Sequence, residues 1–511
     1  MAARSRRWLY LGVLFIGVAV QPGNLGSVDT SRRLQVTHSL WTSAPPVARN
    51  DAEAFGIRGR RGIQEAWYGI GQSLLMLPAD IVVSGVGIEG SPRKEHMRVA
   101  LVEYLTFPAV SVAVVACAGR LLANLGFTTS EMVPATVLFF LGSSLLPYTQ
   151  INQENSLLAF STLGGLAFGF QWLHERKAIA ALLSGLLFSF GILTRLPSLL
   201  DALLTAGLLA WVSAPRDAVG IRRLTTAWGR RDFLWLGAPV AAALLIDRLY
   251  QWYRFGDVAK TYIHLFGEQA RLRNPLLPAS FPFSGNVRDG LLGPFFSPDR
   301  SIFLFEPFVL LALILAILTW RRLPEPIQGV IIYGGVLICC YAGLYARYYN
   351  WPGASCWGNR FLTTPTLVTA LVGSALWIRH RDQMGRPVRT ICRVVIGFAV
   401  AVQASSLVFS YNLEEIQLSV LGPGLTQVGL RWANILGVLV GLEHTWGLRV
   451  TGVSDRFLTP NFLPFLARSW LGDTWSLIAQ VVWGMLVVAG IAAFWRAVMS
   501  AREYGGEDGI R

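Results

Sequence analysis

The run Trp8-Leu9-Tyr10-Leu11-Gly12-Val13-Leu14-Phe15-Ile16-Gly17-Val18-Ala19-Val20 is apolar throughout, with Arg4, Arg6 and Arg7 before it and Gly26-Ser27-Val28-Asp29-Thr30 after it. Arginines ahead of an apolar run hold that end on the cytoplasmic side. Asp29 then emerges just beyond the outer end of a first membrane span. A carboxylate kept at the outer membrane surface on a short tether is a place for a general base. A run of about 13 residues behind Arg also describes a signal peptide, but Val20-Gln21-Pro22-Gly23 is a poor small-residue cleavage site. A retained anchor is expected.

Working outward, the composition extends the membrane reading to the whole chain. Of 511 residues, 53% are hydrophobic and only 14% charged, and the mean hydropathy is +0.47. A soluble chain carries about a quarter charged residues. Eighteen Trp and 28 Phe suit interfacial belts as well as packing between helices. The formal charge of +14 falls in short loops: Arg216, Arg222, Arg223, Arg230 and Arg231 in one, Arg379, Arg381, Arg386, Arg389 and Arg393 in another. Arg321 with Arg322, and Arg176 with Lys177, mark two more. Basic loops alternating with apolar spans follow the positive-inside pattern and form no single basic face, so nucleic acid is excluded as a partner. Cys117, Cys339 and Cys340 lie in apolar runs, and no CxxC or Cys/His metal spacing occurs. Neither a disulfide framework nor a zinc site is indicated.

A span needs about 20 mostly apolar residues. Apolar runs fall near 8–22, 100–121, 130–149, 155–173, 177–194, 197–213, 232–249, 302–320, 327–346, 361–378, 391–410 and 474–495. The expected fold is an all-α integral membrane protein with about twelve transmembrane helices and amphipathic interfacial helices in the outer loops. This count places the loops near 120–129, 174–177, 214–231, 321–326 and 379–390 on the side of the N-terminus. Residues 1–410 read as a polytopic core, 411–473 as an outer-side loop or interfacial segment, and 474–511 as a last span with its cytoplasmic tail. Two pieces of the first outer segment, Arg32–Trp41 and Trp67–Pro78, read as helices lying flat in the interface. Span centres are nearly free of charge, so any chemistry belongs at the outer membrane face.

Six pieces follow in order through the chain. They are Val28-Asp29, Tyr68-Gly69-Ile70-Gly71-Gln72 through Pro78, Leu146-Pro147-Tyr148 through Glu154, and Gly191-Ile192-Leu193-Thr194-Arg195. Leu291-Leu292-Gly293-Pro294-Phe295-Phe296-Ser297-Pro298-Asp299-Arg300 and Trp351 through Arg360-Phe361 complete them. Over roughly residues 8–378 this run resembles the bacterial polytopic C-type glycosyltransferases, the family of dolichyl-phosphate-mannose–protein mannosyltransferases and aminoarabinose transferases. The resemblance implies a hexosyl or pentosyl glycosyltransferase in the inner (plasma) membrane, working on its periplasmic or extracellular side. A sugar would move from a polyprenyl-phosphate donor, whose tail lies in the lipid bilayer, to a protein, glycan or lipid acceptor. Asp29 would be the general base in a single inverting displacement.

Members of the family often show two adjacent acidic residues here, whereas Thr30 follows Asp29. Glu154 is therefore the second catalytic candidate, positioning the acceptor or helping to bind a cation. The plain alternatives are a helix cap for Asp29 and an interfacial ion pair for Glu154. Phosphate as leaving group calls for the planar guanidinium fork. Arg360 is the first choice, then Arg300, then Lys260 and Arg254, with Arg195 either binding substrate or snorkelling to the interface. Tyr68 and Gln72 are further substrate-binding candidates. His38, His264 and His444 have no partner at ligand spacing and read as ordinary loop residues. No cofactor is required; a divalent cation could assist the phosphate but stays unassigned, because no ligand cluster demands one. The competing functions are a polytopic transporter or lipid flippase and a non-catalytic scaffold. No half-to-half similarity or paired broken span points to a midplane transport site.

Overall fold

The computed structural model describes residues 2–51, 55–88, 91–214, 232–353, 356–421, 425–442 and 457–508. The basic loop of Arg216 to Arg231, and His444, lie outside the described residues. The chain is a helical assembly. Its elements are α1 (Ala2–Ala19), α2 (Val28–Ser39), β1 (Gly56–Arg58), β2 (Gln64–Ala66), α3 (Gly71–Gly85), α4 (Pro92–Asn124), α5 (Thr129–Gly142), α6 (Leu145–Ile151), α7 (Asn155–Glu175), α8 (Ala178–Thr194), α9 (Leu199–Ser213) and α10 (Asp232–Phe255). Then come α11 (Tyr262–Arg273), α12 (Val287–Phe296), α13 (Ile302–Phe305), α14 (Pro307–Thr319), α15 (Glu325–Tyr345), α16 (Thr363–His380), α17 (Arg386–Ser406), α18 (Asn412–Leu421), α19 (Gln427–Val440), α20 (Leu463–Leu466), α21 (Arg468–Leu471) and α22 (Asp473–Asp508).

Every expected span has a helix at its place, but the expected count of about twelve is not confirmed by helix length and composition. Among the described residues, seven helices are long and apolar enough to cross a membrane, eight if α5 and α6, bent by 55°, form one span. The shortfall has local causes. Arg4, Arg6 and Arg7 sit inside α1, and α8 stops at 17 residues. The run near 302–320 is broken at Glu306 into a helix of four residues and one of 13. Pro307 explains the break, since the residue before a proline is driven out of the helical region. Glu306 accepts from the Ser144 backbone N–H and hydroxyl, 2.7 Å each, tying the break to the bend between α5 and α6.

The main apolar core runs from Leu9 in α1 through Phe139 and Phe140 in α5 to Leu371 in α16 and Phe494 in α22. The first and last long helices pack closely. A Cβ on Gly12 would fall 2.6 Å from the Phe494 ring, and Trp483 Nε1 donates to Ala19 O at 2.9 Å.

The segment between α1 and α4 holds α2 and α3 at the two expected amphipathic pieces, together with an antiparallel hairpin, β1–β2, that the sequence reading did not anticipate. Within 411–473, described residues of α18 and α19 and the chain beside them pack into the protein. Val428 and Tyr411 join Tyr148, Phe305 and Trp357 in one buried cluster, and Gln427 Nε2 donates to Cys356 O at 3.0 Å.

Candidate functional site

Asp29 owes its position to the turn that follows α1. Gly23, Leu25 and Gly26 all have positive φ, and a Cβ on Gly26 would fall 2.2 Å from Gln150 O. Only glycine allows that approach. The buried Glu103 accepts the backbone N–H groups of Gly23 and Leu25, and Asn152 Nδ2 donates to the same carboxylate at 3.2 Å. Ser27 then caps α2, its hydroxyl accepting from Thr30 N at 3.3 Å. Asp29 lies in the first turn, where the helix dipole favours a negative charge. It is therefore not the cap itself; Ser27 is.

Two partners hold the Asp29 carboxylate. Tyr68 donates its hydroxyl to Oδ1 at 2.8 Å, and Arg360 Nη1 donates to Oδ2 at 2.9 Å across 331 residues of sequence. Both members of the ion pair keep about a fifth of their side-chain surface exposed, 21% for Asp29 and 19% for Arg360. Behind them a second carboxylate is fully enclosed: Glu154 lies 2.9 Å from Arg33 Nη1 and 4.0 Å from Arg195 Nη1. Three guanidiniums against two carboxylates leave one excess positive charge. Several of these groups touch without completing hydrogen bonds. Arg360 Nε, Arg33 Nε and Nη1, and Glu154 Oε2 have no aligned partner among the described residues. Buried polar groups are normally satisfied, so such a group of exceptions calls for an explanation.

The charges set the protonation states. Burial pushes the Asp29 carboxyl up, but Arg360 and Arg33 outweigh it and hold the group below the usual carboxylate range. For Glu154, burial again opposes ionisation, and Arg33, Arg360 and Arg195 together bring it down to about 2. Burial and the Asp29 charge drive the Tyr68 hydroxyl up, keeping it a neutral donor. Both carboxylates are ionised near neutral pH.

The remaining sequence candidates divide four ways. Arg195 joins the cluster at the end of α8, donating to the Tyr345 hydroxyl at 2.8 Å with its guanidinium 4.5 Å over the Phe361 ring. Gln72 stands one layer behind, its amide donating to Asn152 O at 2.9 Å. Close backbone contact explains the glycines of this piece, since a Cβ on Gly69 would fall 2.5 Å from Leu193 O. Arg254 is also behind the site, buried and bonded to Tyr68 O at 3.0 Å. Arg300 pins the Arg360 loop, donating to Cys356 O and Gly358 O at 2.9 Å each. Lys260 is not brought to the cluster; it is half-buried and pairs with Glu268 at 2.6 Å.

Sequence reasoning passed over Arg33, which it read as the polar face of an interfacial helix. The available signal was its spacing of four from Asp29, which puts both on one face of α2. The histidines are occupied elsewhere: His38 Nδ1 with Asp80 at 2.9 Å, His264 Nδ1 with the Thr261 hydroxyl at 2.8 Å.

Beside Arg195 opens an apolar cavity of about 340 Å³, lined by Leu196, Leu199, Leu203, Ile263, Leu344 and Tyr345 among others. Its wall thus includes the tyrosine that Arg195 holds. Among the described residues no group of three or more His, Cys, Asp or Glu side chains could hold a metal ion. Asp29 and Glu154 are each engaged by guanidiniums that would compete with a cation.

The chain matches no family model and no curated protein. It is similar to solved structures of the Archaeoglobus fulgidus oligosaccharyltransferase. One is a crystal structure tethered through a disulfide bond to an acceptor peptide containing the NVT sequon, with 13% identity and a TM-score of 0.45 over 79% of this chain and 54% of that one. A second, in complex with Zn and sulfate, gives 13% and 0.45 over 84% and 56%. A third, AglB with an inhibitory peptide and a dolichol-phosphate, gives 11% and 0.42 over 97% and 56%. The chain spans about half the length of these structures.

Proposed function

We propose that the chain is a membrane glycosyltransferase that moves a sugar from a polyprenyl-phosphate donor to an acceptor at the outer face of the cytoplasmic membrane. One observation carries the reading: a part-exposed carboxylate faces a guanidinium with an unused donor, in front of a cluster with one excess positive charge. The sequence resemblance over the same pieces supports it. In this reading Arg360 and Arg195 take the donor phosphate, and the apolar cavity beside Arg195 receives the first part of the polyprenyl tail. Glu154 stays buried and positions Arg33 and Arg195. Asp29 accepts the proton of the acceptor hydroxyl as that oxygen attacks the anomeric carbon. The carbon–phosphate oxygen bond breaks, polyprenyl phosphate leaves, and the configuration inverts.

The ion pair has a kinetic consequence. While Arg360 holds it, Asp29 is ionised but only weakly basic. A donor phosphate drawing on Arg360 weakens that pair, and the carboxyl rises towards its ordinary range as substrate arrives. No cofactor enters the reaction as proposed, and no step passes through a divalent cation.

The test is sugar transfer by the purified protein in lipid, with a panel of polyprenyl-phosphate sugars and mixed cell-envelope acceptors. Transfer that disappears in Asp29→Asn supports both the reaction and the base. Transfer that survives keeps the reaction and removes Asp29 from that role. Movement of the lipid donor across the bilayer without sugar transfer would favour a flippase.

A further inference from the structure

At the far end of α16 from Arg360, four arginines converge. Arg381 ends that helix, Arg389 and Arg393 open α17, and Arg502 lies near the end of α22; all four line one pocket of about 510 Å³. Asp382 is the one carboxylate in the lining, 3.7 Å from Arg381 and 83% exposed. Arg389 is anchored by donating to Met384 O at 3.0 Å. Among the described residues no carboxylate pairs with Arg393 or Arg502. Arg389 and Arg393 are also one helical turn apart, a like-charge spacing that destabilises a helix unless an anion lies against it. The cavity is therefore built for negative charge.

Its surroundings select the kind of anion. Trp377, Leu138 and Ile396 supply an apolar wall to the same pocket. Next to Arg393, Val394 is 65% exposed, and on α22 Trp495 is 67% exposed, so both flanking helices present apolar side chains outward. In a chain of this composition those faces meet acyl chains. An arginine-rich pocket opening beside helices with outward apolar faces fits an amphiphile better than a free ion. We propose that this pocket binds the phosphodiester headgroup of an anionic phospholipid on the side of the membrane that carries the Arg-rich loops.

The experiment is native mass spectrometry on the full chain in detergent, exchanged against equal amounts of phosphatidylglycerol and phosphatidylcholine. Wild type should retain phosphatidylglycerol over phosphatidylcholine by about tenfold or more. Arg393→Gln with Arg502→Gln should abolish the preference, and the Lys versions of both should keep it. Arg321→Gln with Arg322→Gln removes the same charge elsewhere and should change nothing. Equal retention of the two lipids by wild type, or equal loss in both Gln pairs, would overturn the proposal. Displacement of the retained lipid by excess inorganic phosphate would assign the pocket to a free anion instead.

Discussion

Two arginine–carboxylate pairs in this molecule use the same chemistry to opposite ends. Arg431 and Glu414 are both fully buried, 17 residues apart, and joined through two hydrogen bonds of 2.8 and 2.5 Å. The rest of the Arg431 guanidinium donates to the carbonyls of Ser406 at 2.8 Å, Phe409 at 2.6 Å and Ser410 at 3.2 Å. Arg360 and Asp29 are 331 residues apart, partly exposed, joined by one hydrogen bond, and leave Arg360 Nε without an acceptor among the described residues. A saturated pair fixes the chain; an unsaturated pair holds charge where another molecule can reach it. The distinction lies in the donors and acceptors left over, not in the ion pair.

Breaking the saturated pair should give the largest effect. Arg431→Met strands a buried carboxylate, which costs about 3–5 kcal/mol. Denaturant unfolding in detergent should show that loss, and adding Glu414→Gln should recover part of it. The unsaturated pair should respond in activity. Asp29→Asn is expected to reduce turnover about a hundredfold or more while the unfolding midpoint stays close to wild type. If the midpoint drops as far as it does for Arg431→Met, the contrast between the pairs collapses. Arg360→Lys keeps a charge and removes the planar fork, so donor KM should rise by roughly tenfold with a smaller change in kcat. The smallest effect concerns pH. The folded protein holds Asp29 below the usual carboxylate range and Glu154 at about 2. Their stabilisation is complete above the unfolded carboxylate values, near pH 4, and is lost as pH falls from there towards 2. Melting temperature should therefore be insensitive to these two groups from pH 5 to 8, and Glu154→Gln should flatten the acid limb.

How far the sequence anticipated this contrast depends on distance along the chain. Apolar runs located every long helix, because burial in lipid or core writes itself into consecutive residues. Asp29 and Arg360 were singled out separately, by the short motifs around them. Nothing in their spacing told that they meet. Arg33 was misread because an arginine on an amphipathic helix looks alike whether it faces water or a buried Glu154. Arg300 was expected near phosphate; the sequence did not show that its hydrogen bonds hold the loop that carries Arg360. The span near 302–320 looked continuous because hydropathy averages over Glu306, whereas backbone geometry at Glu306-Pro307 does not. The pair Arg431–Glu414 was invisible: residues 411–473 were read as surface, and only folding shows that their charges are buried together.

The pairing of α1 with α22 has a consequence in time. The tether of Asp29 begins at the end of α1, and the last helix fastens that end through Trp483 and Ala19, 464 residues apart. A chain emerging from the ribosome makes the Asp29 carboxylate 331 residues before the guanidinium that faces it. The helix that secures the tether is made later still. Until α22 has been made, a growing chain in the membrane carries a carboxylate that nothing yet aims, and the site is assembled only after that helix joins α1.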